Sequence, residues 1–176
     1  MTRTLLDMED GTPAERQQTE PFRILFVCTG NTCRSPLAEA VARAELRRRG
    51  WEHVEVASAG VAAEPGATAS AAAVKVAERK GLNLVREHRS RLLSAELLGW
   101  ADLILVMSPS HLAGVDRMGG AEKAALLGDF AAGADGRGSS VRDPFGGDEA
   151  VYEATLHELQ QLVPAALDRL APIVHP

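Results

Sequence analysis

The apolar positions of this chain change period from one segment to the next, and the changes mark an alternation of strands and helices. Phe22 to Val27 is a continuous apolar run broken only by Arg23, the pattern of a parallel strand buried on both faces. From Ser35 to Arg49 the period becomes helical, with Leu37, Val41 and Ala44 on one stripe and Gly50 as terminator. Val54 to Ala57 reads as a second strand. Ala69 to Lys80 reads as a second helix closed by Gly81, and Ser94 caps a short third one ending near Trp100. A third strand is expected over Asp102 to Met107, a fourth helix over Ser110 to Met118, and a weaker fourth strand over Lys123 to Leu127. After a loop rich in Gly, Asp and Ser, a last helix places Tyr152, Leu156, Leu159, Val163 and Leu170 on one face, with Pro164 expected to kink it.

This alternation predicts a three-layer, doubly wound (Rossmann-like) α/β domain with a four-stranded parallel sheet. Ligands of such sheets bind beyond the carboxyl ends of the strands. The segment leaving strand one, Val27-Cys28-Thr29-Gly30-Asn31-Thr32-Cys33-Arg34-Ser35-Pro36, carries chemistry suited to that place. It sets a thiol, Cys28, before a short turn into a helix N-terminus, where unpaired N–H groups and the helix dipole attract an anion and favour thiolate over thiol. Arg34 can fork two donors onto phosphoryl oxygens. Gly30 and Asn31 are the types that tolerate positive φ, which lets successive amides point inward. Pro36 suits a first helical turn, and Ser35 can cap the helix or donate its hydroxyl to the thiolate. The whole is a phosphate loop built around a nucleophile.

Thiolate attack on phosphorus leaves a departing group in need of a proton, and a later water in need of a base. One carboxylate can serve both. Asp143 is favoured because Pro144 holds it extended and Gly146-Gly147 lets its loop fold over a pocket, but Asp102, Asp116 and Asp129 also lie in or beside loops. His53, His111, His157 and His175 read as surface residues. Neither cysteine pairs with a histidine at ligand spacing, so no metal is expected, and Arg34 with the loop amides already neutralises phosphoryl charge.

Composition narrows the class. The 176 residues are 45% hydrophobic but only 4% aromatic, so one core of Ala, Leu and Val is expected, without disulfides. A formal charge of −5, with no basic stretch carrying stacking aromatics, excludes nucleic acid as a partner. Arg47-Arg48-Arg49 reads as a solvated face that complements a helix dipole. No run approaches the roughly 18 apolar residues needed to span a bilayer, so neither membrane partner nor anchor is expected and the cytoplasm is the expected location. Residues 1–21 are polar and acidic without a period, as in a disordered N-terminal extension.

Four motifs taken together resemble a known family: Val27 to Pro36, Ser58-Ala59-Gly60, His88-Arg89-Ser90-Arg91 and Asp143-Pro144-Phe145. In that order they resemble the low-molecular-weight protein-tyrosine phosphatases over about residues 22 to 171. Cys-Thr-Gly-Asn-Thr-Cys-Arg-Ser-Pro with Asp-Pro-Phe-Gly-Gly is closest to the bacterial protein-arginine phosphatase branch. The resemblance implies a phosphatase domain over residues 22–176, working without cofactor on phosphorylated proteins through a phosphocysteine, with inorganic phosphate or another oxyanion held in the loop. Phosphoarginine is favoured and phosphotyrosine is the alternative. It implies Cys28, Arg34 and Asp143 as catalytic residues, and Thr29, Gly30, Asn31, Thr32, Cys33, Ser35 and Phe145 around the substrate. It implies His88 as a brace for the loop. Thr32 marks the arginine branch, since the tyrosine phosphatases typically carry an aliphatic residue there, and the loop after Gly60 holds no tryptophan to stack on a phosphotyrosine ring. Cys33 is either a packing residue or, as the family implies, the partner of Cys28 in a reversible oxidative brake. Two rival classes are an arsenate reductase, disfavoured because two cysteines leave no further pair for its relay, and a non-catalytic phosphate-binding module, disfavoured by the retained nucleophile and acid.

Overall fold

A computed structural model of the chain describes residues 20–133 and 140–174. The expected extension over 1–21 lies outside these residues except for Glu20 and Pro21, as do His175 and part of the Gly-rich loop.

The apolar run folds as strand β1 (Phe22–Cys28), followed by helix α1 (Arg34–Arg49), β2 (Val54–Gly60) and α2 (Ala71–Arg79). Next come α3 (Ala95–Trp100), β3 (Leu103–Val106), α4 (Pro109–Arg117), β4 (Ala124–Leu126), α5 (Leu127–Ala132) and α6 (Glu149–Val174). All pairings are parallel, in the order β2-β1-β3-β4. The doubly wound sheet predicted from the alternation is therefore present.

Period-two alternation sends the strand side chains to opposite layers. Ile24 and Phe26 of β1 join Leu37, Val41 and Leu46 of α1 and Tyr152 to Leu170 of α6 in one core. Leu25 and Val27 join Leu98 of α3 and Val115 of α4 in the other. The chain leaves β1 toward β2 on one side, while β3 lies on the other, so the switch point falls at the carboxyl end of β1, where Cys28 stands.

Several expectations change. Ala44 is exposed: the buried stripe of α1 runs through Leu37, Ala38, Val41, Ala42 and Leu46, because α1 is wedged between the sheet and α6. Arg49 is not solvated. It pairs with Glu45 and Asp168, lies over Trp51 and reaches the Pro164 carbonyl, and with Arg48 it holds the Glu45 carboxyl down at about 2. Helix α6 continues through Pro164 as one element. Helix α5 had no sequence signal, since six residues are too few to display a period.

Gly60, at the end of β2, sets how closely two backbones approach. A Cβ there would lie 2.4 Å from the Thr29 carbonyl oxygen and 2.9 Å from the Asn31 nitrogen. Only glycine lets β2 lie against the loop after β1, where Val61 and Ala62 donate to the carbonyls of Cys28 and Thr29.

Candidate active site

Cys28 ends β1 and Arg34 begins α1, so the five intervening residues must turn sharply between them. Asn31 makes the turn. Its φ of 55° is left-handed and its side chain is fully buried. Gly30, expected to share that role, is not in the left-handed region, so one residue suffices. Asn31 Nδ2 donates to Ser35 Oγ at 2.8 Å and to Ser58 Oγ at 3.0 Å, while its Oδ1 accepts from the Arg91 N–H at 2.8 Å. His88 Nε2 lies 2.6 Å from the Asn31 carbonyl, which can only accept, so Nε2 carries the proton. Burial lowers the His88 pKa and keeps the ring neutral as it braces the loop.

Ser35 was a candidate cap, but α1 begins at Arg34 without a side-chain cap, and the Ser35 hydroxyl turns to Cys28. Its Oγ lies 2.9 Å from Cys28 Sγ and 3.3 Å from the Ala59 carbonyl. Asn31 already donates into this oxygen, so the serine's one hydrogen goes to sulfur or to the carbonyl. A thiolate can only accept and draws that hydrogen to itself.

Arg34 is buried, with NH1 donating to the Val141 carbonyl at 3.3 Å and NH2 3.5 Å from Asp143 Oδ2. The loop carrying Asp143 is thereby tied to the loop carrying Cys28. Pro144 is buried and the Phe145 N–H donates to Asp143 Oδ1 at 3.1 Å, which leaves the carboxylate half-exposed at the rim. Phe145, expected beside the substrate, is 80% exposed. Of the other aspartates, Asp102 accepts from the Arg23 N–H at 2.8 Å, Asp116 lies in α4 and Asp129 in α5.

Cys33 belongs to a different network. Its sulfur lies 3.3 Å from the Tyr152 hydroxyl and 3.7 Å from Ser70 Oγ, and both cysteines are free thiols. Tyr152 had been read only as part of an apolar face. His111, expected at the surface, is 1% exposed and lies 2.8 Å from Thr29 Oγ1. A histidine just past the carboxyl end of β3, on the rim where ligands bind, was the available signal for it. No group of three His, Cys, Asp or Glu among the described residues could hold a metal.

A buried thiol, a buried guanidinium and a rim carboxylate around one backbone turn define a phosphate-handling site. The family model for low molecular weight phosphotyrosine protein phosphatase matches residues 23–173, and the chain belongs to this family. A protein-arginine-phosphatase of Geobacillus stearothermophilus is 44% identical over 86% of this chain and 95% of its own. A probable low molecular weight protein-tyrosine-phosphatase of Ralstonia nicotianae is 33% identical over 84% of this chain and 94% of its own. Among solved structures, a cysteine-to-serine mutant of the YwlE arginine phosphatase with a phosphorylated active-site serine is 36% identical. It superposes with a TM-score of 0.79, covering 86% of this chain and 97% of its own.

The network gives a direct expectation for Ser35. A hydrogen bond to a charged partner contributes about 1.5–3 kcal/mol. Ser35→Ala should slow para-nitrophenyl phosphate turnover by about 10-fold or more, with the circular-dichroism spectrum unchanged. An undiminished kcat would show that Cys28 does not rely on this donor.

Proposed function

We propose that the protein removes phosphoryl groups from arginine side chains of proteins through a phosphocysteine on Cys28. The Cys28 sulfur attacks phosphorus while Arg34 and the loop amides hold the phosphoryl oxygens, and the bond from phosphorus to the guanidinium nitrogen breaks as Asp143 gives that nitrogen a proton. Asp143 then takes a proton from water, which attacks the phosphocysteine and releases phosphate and the thiolate. The chain's own groups supply the nucleophile, the proton and the charge stabilisation, so the step needs no cofactor. The two free thiols suit a reducing compartment, and we assign the enzyme to the cytoplasm. Among the described residues no helix is long and apolar enough to cross a membrane.

The observation that carries the arginine reading is the state of Thr32. Its hydroxyl makes one contact among the described residues, a 3.7 Å approach to Cys33 Sγ, while the loop's backbone at this position is satisfied by the Ser70 N–H. The hydroxyl therefore keeps a lone pair for a substrate N–H. A guanidinium N–H facing an aliphatic wall would go unsatisfied, at a cost of about 1–3 kcal/mol. The relationship to a named arginine phosphatase supports the same reading. Phosphotyrosine is the second reading, favoured by the related tyrosine phosphatase and by exposed Phe145, which offers an aromatic face to a phenyl ring.

Three experiments bear on this. Rates on phosphoarginine and phosphotyrosine peptides should favour the former, and Thr32→Ile should cut phosphoarginine turnover by about 10-fold or more while sparing phosphotyrosine turnover. A wild-type preference for phosphotyrosine would transfer the assignment to the second reading. Asp143→Asn should lose about 10² to 10⁴ in rate on a poor leaving group and less on one of low pKa, in single-turnover phosphorylation; equal losses would remove Asp143 as the proton donor. We also read Cys33 as a trap for the sulfenic acid of Cys28. Peroxide inactivation should then be reversed by dithiothreitol in the wild type and not in Cys33→Ser, and equal recovery would reduce Cys33 to packing.

A further inference from the structure

His111 lies beneath the first turn of α4 with both ring nitrogens engaged, and its partners decide which nitrogen carries the proton. The Ser108 backbone N–H, 3.1 Å from Nδ1, can only donate, so Nδ1 presents its lone pair, and the Ser108 hydroxyl, also 3.1 Å away, donates to the same nitrogen or turns to Ser110 Oγ at 2.9 Å. The hydrogen is then on Nε2. Burial first, and the Arg34 charge second, push the His111 pKa down to about 4 against the opposing pull of Asp143, so the ring is neutral at neutral pH. Nε2–H must donate to Thr29 Oγ1, 2.8 Å away. With that lone pair occupied by His111, the threonine's own hydrogen points elsewhere. Thr29 directly follows Cys28 at the carboxyl end of β1 and is exposed, so its hydroxyl stands at the mouth of the loop beside any group bound at Cys28.

We infer that His111 is a positioning residue which, as the Nε2–H tautomer, holds Thr29 with its hydroxyl hydrogen free to donate to a phosphoryl oxygen of a substrate bound at Cys28. The inference rests on the phosphatase reading and deepens it. In the opposite tautomer Thr29 would donate to the ring, and only its lone pairs would face an anionic group. Ser108 prevents this through the helix turn itself, since the backbone N–H that fixes Nδ1 belongs to the residue that caps α4 and the His111 N–H in turn meets the Ser108 carbonyl at 3.1 Å. One buried ring thus converts the start of a helix into the polarity of a hydroxyl at the mouth of the site.

The alternative is that His111 only closes the start of α4. To separate the two, kcat and KM on para-nitrophenyl phosphate, and thermal midpoints, are measured for Thr29→Val, His111→Leu, the double variant and His111→Gln. The tautomer of wild-type His111 is read from long-range 1H–15N spectra at neutral pH. Thr29→Val and His111→Leu should each lower kcat by about 10-fold, below the span for a dedicated oxyanion donor because Thr29 stands at an exposed mouth. The double variant should be no slower than Thr29→Val. His111→Gln, whose amide can accept from Ser108 and donate to Thr29, should regain most of the loss. The spectra should show Nε2 protonated and Nδ1 bare. Losses that multiply in the double variant, a His111→Leu effect confined to the thermal midpoint, or an Nδ1–H tautomer would each overturn the inference. Should His111→Leu fail to fold, the wild-type tautomer and His111→Gln decide. A wild type without turnover would sink the phosphatase reading itself, whereas the wrong tautomer in an active enzyme sinks only the role of His111.

Discussion

The site depends on one peptide unit held in the left-handed region and shut away from water. Asn31 adopts a φ of 55° where most residues would relax, at a cost of roughly 1–2 kcal/mol for a residue without special tolerance. Four hydrogen bonds hold it: two to Ser35 and Ser58, and two from Arg91 and His88. At about 0.5–1.5 kcal/mol each, they outweigh the strain. Their partners come from α1, β2 and the segment at residues 88–91, so the loop is shaped only once those elements have assembled. Gly60 belongs to the same constraint, because any side chain there would push β2 away from the loop that Asn31 turns.

Arg34 extends this order to Asp143. Its contact with half-exposed Asp143 is an ion pair of the kind that contributes about 0–1 kcal/mol, too little to hold a loop. The stronger anchors are apolar and backbone: buried Val141, whose N–H reaches the Met107 carbonyl beyond the end of β3 and whose carbonyl accepts from Arg34, and buried Pro144 next to the carboxylate. Asp143 is thus placed by its neighbours and not by its contact with Arg34.

What could be read from the sequence was local. The strand period of β1, the apolar face of α6 and the contiguous run from Cys28 to Pro36 each carry their signal within a few residues, and the parallel sheet followed from the alternation. What escaped was set by contacts across the chain. His111 sits in a short helix, and its partner Thr29 lies 82 residues away, so apart from its place just past the end of β3 nothing near it distinguished it from a surface histidine. Tyr152 looked like core because it is core. Only its hydroxyl, reaching Cys33 from 119 residues away, belongs to the site. The stripe of α1 was misplaced at Ala44 because a helix packed on two sides has no single apolar face to read.

The two cysteines of the loop share a turn but not a network, and this bears on how the loop could change state. Cys28 belongs to the Ser35–Asn31 system and Cys33 to the Tyr152–Ser70 system. If the Cys33 sulfur moved toward Cys28, Tyr152 would lose a partner in a buried place where an orphaned hydroxyl costs about 1–3 kcal/mol. Ser70, whose hydroxyl lies 3.7 Å from the same sulfur and acts on the Tyr152 phenol, stands close enough to take its place. Burial and the Cys33 contact raise the Tyr152 pKa, so the phenol stays protonated and can hand its hydrogen from sulfur to serine. The underside of the loop therefore permits Cys33 to move without stranding a polar group, while the Asn31 bonds that shape the phosphate-binding turn involve neither sulfur.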